Sequence, residues 1–298
     1  MAGDAAAALA AGPMGARLRA PVRTRGARRV LIFVAFAFVT VFLVLPLGVI
    51  FAEAFSLGAR AYVAALADPD VRAALWLTAG IALAAVPLNT VFGLIASWCL
   101  ARFRFRGRGA IVTLTELPLS ISPVVAGLLL VLLFWRGGLL GAFLEAHGIH
   151  IIFAVPGMVL ATIFVTVPYV ARELIPLVEA QGSEEEEAAI TLGASGWQTF
   201  FRVSLPKLRW GLLYGVLLCN ARAIGEFGAV SVVSGAVPGQ TNTLPLEIQA
   251  LYDGYRVQGA FAAASLLAGL AIVTLLLKAA LEWRHRDELS AARRARAE

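Results

Sequence analysis

Residues 30–55 read VLIFVAFAFVTVFLVLPLGVIFAEAF, an apolar run interrupted by one ionisable side chain, Glu53. A helix crosses the hydrocarbon core of a bilayer in about 20 residues, whereas the apolar part of a cleavable leader spans about 7–15. The run suffices for the first and exceeds the second. It reads as a retained membrane helix, which sets the solvent of the fold.

Five further runs repeat the pattern outward from it: Ala74–Leu100, Ala110–Trp135, Ile152–Val178, Trp210–Val237 and Gln258–Trp283. The expectation is an all-α, polytopic membrane protein of six helices over residues 30–283. Basic tails, 1–29 and 284–298, flank it. Composition agrees: 60% of residues are hydrophobic and 15% charged, against about 45–50% and 25% in soluble domains. Mean hydropathy is +0.82. A soluble fold of 298 residues could not hide so much apolar surface.

The net charge of +6 raises the question of nucleic acid. The cations, however, sit in short blocks between apolar runs and form no basic face on a soluble element, so that class is set aside. Arg17, Arg19, Arg23, Arg25, Arg28 and Arg29 precede the first run, and Arg102, Arg104, Arg106 and Arg108 follow the second. Arg172, near the end of the fourth run, is counted with Arg202, Lys207 and Arg209 of the loop between the fourth and fifth runs. Lys278, Arg284, Arg286, Arg293, Arg294 and Arg296 close the chain. The opposite side has Arg60, Arg72, Arg136 and Arg256. This bias predicts a multi-pass protein with both termini in the cytoplasm. Cys99 and Cys219 fall inside apolar runs and form neither a disulfide framework nor a zinc spacing. His147 and His150 have no carboxylate cluster beside them and read as solvated residues, so no metal site is expected.

The most interrupted run holds Glu116 and then Pro118-Leu119-Ser120-Ile121-Ser122-Pro123. A broken helix with hydroxyls and a carboxylate suits a cavity lining, so Glu116, Ser120 and Ser122 are candidates for a pathway. A plain kink, with serines bonding their own helix, is the alternative.

Between the fourth and fifth runs, residues 181–206 read QGSEEEEAAITLGASGWQTFFRVSLP. Ser183 with Glu186 has the spacing of a capping box, and four glutamates favour the positive end of a helix. Gly193 permits the left-handed residue that ends it. Ser195 with Gln198 is a second capping box, and Pro206 is expected to stop the short helix that this box opens. The result is a helix–glycine–helix elbow carrying Ala188, Ala189, Leu192, Trp197, Phe200 and Phe201. Such a face either packs on the protein's own helix ends or docks into a partner's groove.

Glu187-Ala188-Ala189, three residues, Gly193, nine residues, Val203, one residue and Leu205-Pro206 together resemble the E-A-A-x3-G-x9-[IV]-x-L-P motif of binding-protein-dependent ABC importer permeases. Asn220–Val230 is similar to a segment of sulfate, thiosulfate and molybdate permeases. Thr241-Asn242-Thr243-Leu244-Pro245-Leu246-Glu247 and residues 262–278 look closer to the second sulfate/thiosulfate permease subunit, the CysW type. Segments 102–108 and 122–128 are similar too; Glu116 departs from an expected aspartate.

The resemblance implies the six-helix type I importer fold. It implies that the elbow is the coupling helix, with Glu187, Ala188, Ala189, Gly193, Leu205 and Pro206 as the ATPase-coupling residues. It implies a heterodimer with a second permease subunit, a pair of ATP-binding subunits and a periplasmic sulfate/thiosulfate-binding protein, in a bacterial inner membrane. No G-x-x-x-x-G-K-[ST] loop occurs in the chain, whose lysines are Lys207 and Lys278. ATP is therefore expected on partner subunits, with no cofactor in this chain and no catalytic residue.

Arg222 lies twelve residues past Trp210, roughly 18 Å along a helix and near the bilayer centre if the fifth run is one helix. A charge there costs about 2.5–3.5 kcal/mol on insertion scales, so it needs a partner or water. Glu226 is four residues on and is that partner. Either the pair locks the bundle, or Arg222 offers donors to a passing dianion while Glu226 prevents trapping. Two other functions fit the sequence: a molybdate/tungstate-type homodimeric permease, and a proton-coupled secondary transporter using Glu226.

Overall fold

The computed structural model describes residues 25–284, so most of both predicted tails lies outside the described residues. The described residues are helical and form no strand. They fall into two units, divided after Val49.

The first unit holds α1 (Arg25–Val39), a π turn over Thr40–Val44, and the start of α2 (Leu45–Ala54). Helix therefore begins before residue 30, inside the predicted tail. Leu45 N–H bonds Thr40 O, five residues back. The wide turn falls one residue before Pro46, which has no N–H to give and whose ring crowds the preceding carbonyls. Phe33, Phe36, Phe42 and Leu43 are all exposed, as suits a helix solvated by lipid.

The second unit is built around α8 (Val155–Gln181), against which α4 (Pro69–Arg102), α11 (Leu205–Ile224) and α5 (Arg108–Ser120) pack. Asp68 caps α4 by accepting from Asp70 N–H at 2.9 Å, and Pro69 supplies a preset first turn. At 34 residues, α4 is roughly 50 Å long and exceeds the hydrocarbon core. The remaining elements are α3 (Ala59–Leu66), α6 (Pro123–Phe134), α7 (Gly141–Ala146), α9 (Glu184–Thr191), α10 (Gly196–Thr199), α12 (Gly228–Val233), α13 (Leu244–Asp253) and α14 (Val257–Arg284). Among the described residues four helices are long and apolar enough to cross a membrane, at 28–54, 69–102, 155–181 and 257–281; α5 with α6 makes a fifth if a pair bent by 110° is one span.

Two of the six expected spans thus differ from continuous helices. Residues 110–135 break at Ile121-Ser122, before Pro123, because a residue preceding proline is driven out of the helical region. Residues 210–237 are not one helix either. Here α11 starts at Leu205, ends at Ile224, and carries Lys207, Arg209 and Arg222.

Close helix approach depends on small residues, since lipid offers no hydrophobic drive for helix association. A Cβ at Gly93 would fall 2.7 Å from Val170 Cβ, and one at Gly215 3.3 Å from Val170 Cα. Gly211, Gly215, Cys219 and Ala223 form one buried stripe on α11. At the same junction Asn89 Nδ2 donates to Thr166 Oγ1 at 2.7 Å and to Ile163 O at 3.2 Å. Cys219 Sγ lies 3.8 Å from Thr166 O. Gly93→Val should overpack this contact at a cost of about 1–3 kcal/mol. In detergent its thermal midpoint should fall by roughly 5 °C. Gly80→Val, on the same helix with nothing within 4 Å of the new Cβ, should leave the midpoint unchanged; equal losses in both would sink this account of the packing.

Candidate functional site

The elbow follows Gly182 and consists of α9, a turn at Gly193, α10 and a π turn over Phe200–Ser204 that runs into α11. Gly193 has φ +89. Its N–H bonds Ile190 O at 2.9 Å while Ala194 N–H bonds Ala189 O at 3.0 Å, the paired bonds of a Schellman ending. Ser195 and Gln198 form the reciprocal capping box that their spacing foretells. The first expected box does not form. Ser183 makes no cap bond and donates to Glu187 Oε1 at 2.5 Å, which leaves Glu186 free for a distant partner. Nor does Pro206 stop the chain. The wide turn ahead of it accommodates its ring, and the helix continues as α11.

Glu186 is the joint of the elbow. Arg102 Nη2 donates to its Oε1 at 3.1 Å, Arg102 Nε lies 3.0 Å from its Oε2, and Ser204 Oγ donates to Oε1 at 2.7 Å. Lys207 Nζ pairs with Glu185 at 2.5 Å, and Arg108 Nη2 with Glu179 at 2.5 Å. Thr199 is buried, and the ring of Phe200 lies 5.3 Å from that of Trp98 on α4.

The inner face is therefore fastened to the bundle. The outer face is not: Leu192 is 89% exposed, Trp197 75%, and Ile190 and Phe201 more than half. Trp197 and Phe201 stack on each other at 5.8 Å. Of the two fates open to the apolar set, packing on the chain's own helices is realised on the inner side, and the outer side is left open. Glu187, Ala188, Gly193 and Pro206 are exposed, while Ala189 and Leu205 are half-buried.

The second candidate region is where the two broken helices meet. Gly228, at the start of α12, approaches Pro123, at the start of α6, so closely that a Cβ would lie 2.8 Å from Pro123 Cβ. Gly127 of α6 meets Ala229 in the same way. Arg222 Nη1 pairs with Glu226 Oε2 at 2.6 Å. Because α11 ends at Ile224, the pair bridges a helix end and the break beyond it, and Arg222 occupies the last turn, not mid-helix. Glu226 is 2% exposed and its Oε1 accepts from Ala229 N–H at 2.9 Å. The arginine side chain is 29% exposed. Glu226 thus fixes the break, and Arg222 retains an open edge. Glu116, Ser120 and Ser122 are exposed on α5 and at the bend.

Sequence reasoning missed Arg102 and Ser204 as site residues and gave Glu186 a local role. The contacts span 84 and 18 residues, and no short-range pattern marks them. Among the described residues no group of His, Cys, Asp and Glu could hold a metal ion.

Membrane-length helices that present a firmly based elbow with an open apolar face have the build of a transport-system permease. The family described as "Binding-protein-dependent transport system inner membrane component" matches residues 89–287, and the chain belongs to that family. It is 55% identical to "Sulfate transport system permease protein CysW" of Escherichia coli K12, over 81% of this chain and 83% of that protein. It is 36% identical to "Sulfate transport system permease protein CysT" of the same organism, over 80% and 86%. The fold resembles the crystal structure of a bacterial alginate ABC transporter in complex with an alginate pentasaccharide-bound periplasmic protein, with a TM-score of 0.71 at 18% identity over 87% of this chain and 94% of that one.

Proposed function

We propose that this chain is the membrane permease subunit of an ATP-driven sulfate/thiosulfate importer, forming half of the translocation path and coupling to a separate ATPase. The observation that carries the reading is the elbow: a rigid base of ion pairs under an outward face of Ile190, Leu192, Trp197 and Phe201. A water-exposed apolar patch on a fixed helix is a docking surface. Its occupant is an ATP-binding subunit, one of a pair, and ATP is bound there with no cofactor in this chain.

A second permease subunit completes the path. Glu116, Ser120 and Ser122 are exposed beside the helix break, and an ionisable group on a membrane helix is too costly to leave against lipid. Water and a facing subunit relieve that cost. Similarity to two distinct sulfate permease proteins of one organism, 55% against 36%, supports a heterodimer in which this chain takes the CysW place. A transporter of the same fold solved with a periplasmic protein, together with similarity to sulfate permeases, supports a periplasmic oxyanion-binding protein as a further partner. The cation bias puts both termini and the elbow in the cytoplasm of a bacterial cell.

In the cycle, closure of the ATPase pair moves the elbows, the helices rock, and the path opens from one side to the other. Arg222 and the hydroxyls of Ser120 and Ser122 supply donors to a passing tetrahedral dianion, and the Arg222–Glu226 pairing keeps it from being held. Labelled sulfate uptake should vanish in cells lacking the chain and return with it, and the purified assembly should contain two different permease chains. Uptake that survives loss of ATPase activity would sink the proposal. A homodimer whose sulfate uptake is outcompeted by molybdate would redirect it to the molybdate class.

A further inference from the structure

We infer that Arg102 and Glu186 are positioning residues that lock the elbow to the far-reaching helix α4, so that elbow movement is delivered to the opposite side of the bundle through α4. The inference rests on the coupling role proposed above for the elbow and adds where its movement goes.

Covalently, the elbow joins only α8 and α11. A displacement could pass into those two helices and leave α4 behind. Three contacts prevent this. Glu186, in the first turn of α9, meets Arg102, the last residue of α4, through two nitrogen–oxygen contacts of 3.0 and 3.1 Å. Ser204, at the entry to α11, shares the same carboxylate at 2.7 Å. The ring of Phe200 packs, tilted by 51°, against that of Trp98, one turn back along α4. The side chains of Arg102 and Glu186 are 15% and 14% exposed, so water competes weakly for them. A guanidinium facing a carboxylate with two contacts fixes direction as well as distance.

The other end of α4 is tied to the outer segment. Thr78 Oγ1 accepts from Leu244 N–H at 2.7 Å while donating to Ala74 O at 2.8 Å. Val71 packs with Leu244 and Leu251 in one buried cluster. The segment ahead of α13 is itself closed. Ser234 Oγ donates to Thr241 O, and Asn242 Nδ2 donates to Glu247 Oε2 at 2.9 Å, with both residues buried. One continuous helix therefore has the elbow at its last residue and a stiff outer loop on its first turns.

The test uses the complete assembly in proteoliposomes, with the periplasmic binding protein and sulfate, and measures sulfate transported per ATP hydrolysed. Glu186→Gln and Arg102→Gln should each lower that ratio at least fivefold while the ATPase still co-purifies. The charge-exchanged double variant Arg102→Glu/Glu186→Arg should recover at least half of the original ratio. A general loss of folding lowers the amount of assembly but not the ratio, and it gives no reason for the exchange to restore it. Ratios within twofold of the original in both single variants would overturn the inference. So would an exchanged pair no better than either single change, or loss of the ATPase from the single variants, which would make Glu186 a partner contact. If the unaltered chain carries no ATPase on its elbow, the coupling role itself fails, and that result is separable from the others.

Discussion

Gly193→Glu should lower labelled sulfate uptake at least tenfold, with the chain still present in the membrane at normal amounts. Two effects add. Gly193 sits at φ +89, where any L side chain costs about 1–2 kcal/mol, and the Schellman bonds of Ala194 and Gly193 hold it there. Nothing lies within 4 Å of a Cβ at this position, so crowding inside the chain contributes nothing. The second effect acts at the face proposed to dock. Gly193 follows Leu192, which is 89% exposed, and a carboxylate brought into that dry contact would lie buried without a partner. Gly193→Ala keeps the backbone cost alone and should lose less uptake than the glutamate. Gly193→Asn, tolerated in left-handed geometry, should lose least. A glutamate variant with more than half of normal uptake would show that this face docks nothing.

Arg222→Ala should lose most of its folded protein in detergent, because it strands Glu226. That carboxylate is 2% exposed, and removing one partner of a buried pair costs about 3–5 kcal/mol. The double variant Arg222→Ala/Glu226→Gln removes the stranded charge and should regain most of the folded yield by size-exclusion chromatography. Uptake by the double variant then separates the two roles. Arg222 keeps 29% of its side chain open, so an arginine that offers donors to the dianion leaves uptake at least tenfold down in a well-folded double variant. Full uptake at full yield would make the pair purely structural and remove Arg222 from the path.

The amino-acid order alone determined the solvent of this protein and the presence of its elbow. Apolar runs such as 30–55 and 152–178 need only length and hydropathy to be read as helices, and both properties are local. The elbow was equally legible, since a left-handed turn at Gly193 and a cap at Ser195 with Gln198 depend on neighbours within five residues. Similarity to permeases then suggested the class of partner proposed for that elbow.

Tertiary structure decided where helices break and what the charges are for. In the fifth run, local hydropathy carries on to Val237, yet α11 stops at Ile224. There Glu226 accepts from Ala229 N–H three residues on, and Gly228 presses on Pro123, a contact that forms only when a second broken helix arrives. Pro206 was expected to end a helix, but an uninterrupted path opened through a widened turn. Glu186 was read as a cap because its spacing from Ser183 allows one. The folded chain gives it Arg102 instead, 84 residues away: in a weakly hydrated site a guanidinium outcompetes a backbone N–H, and no local pattern records which arginine will be near.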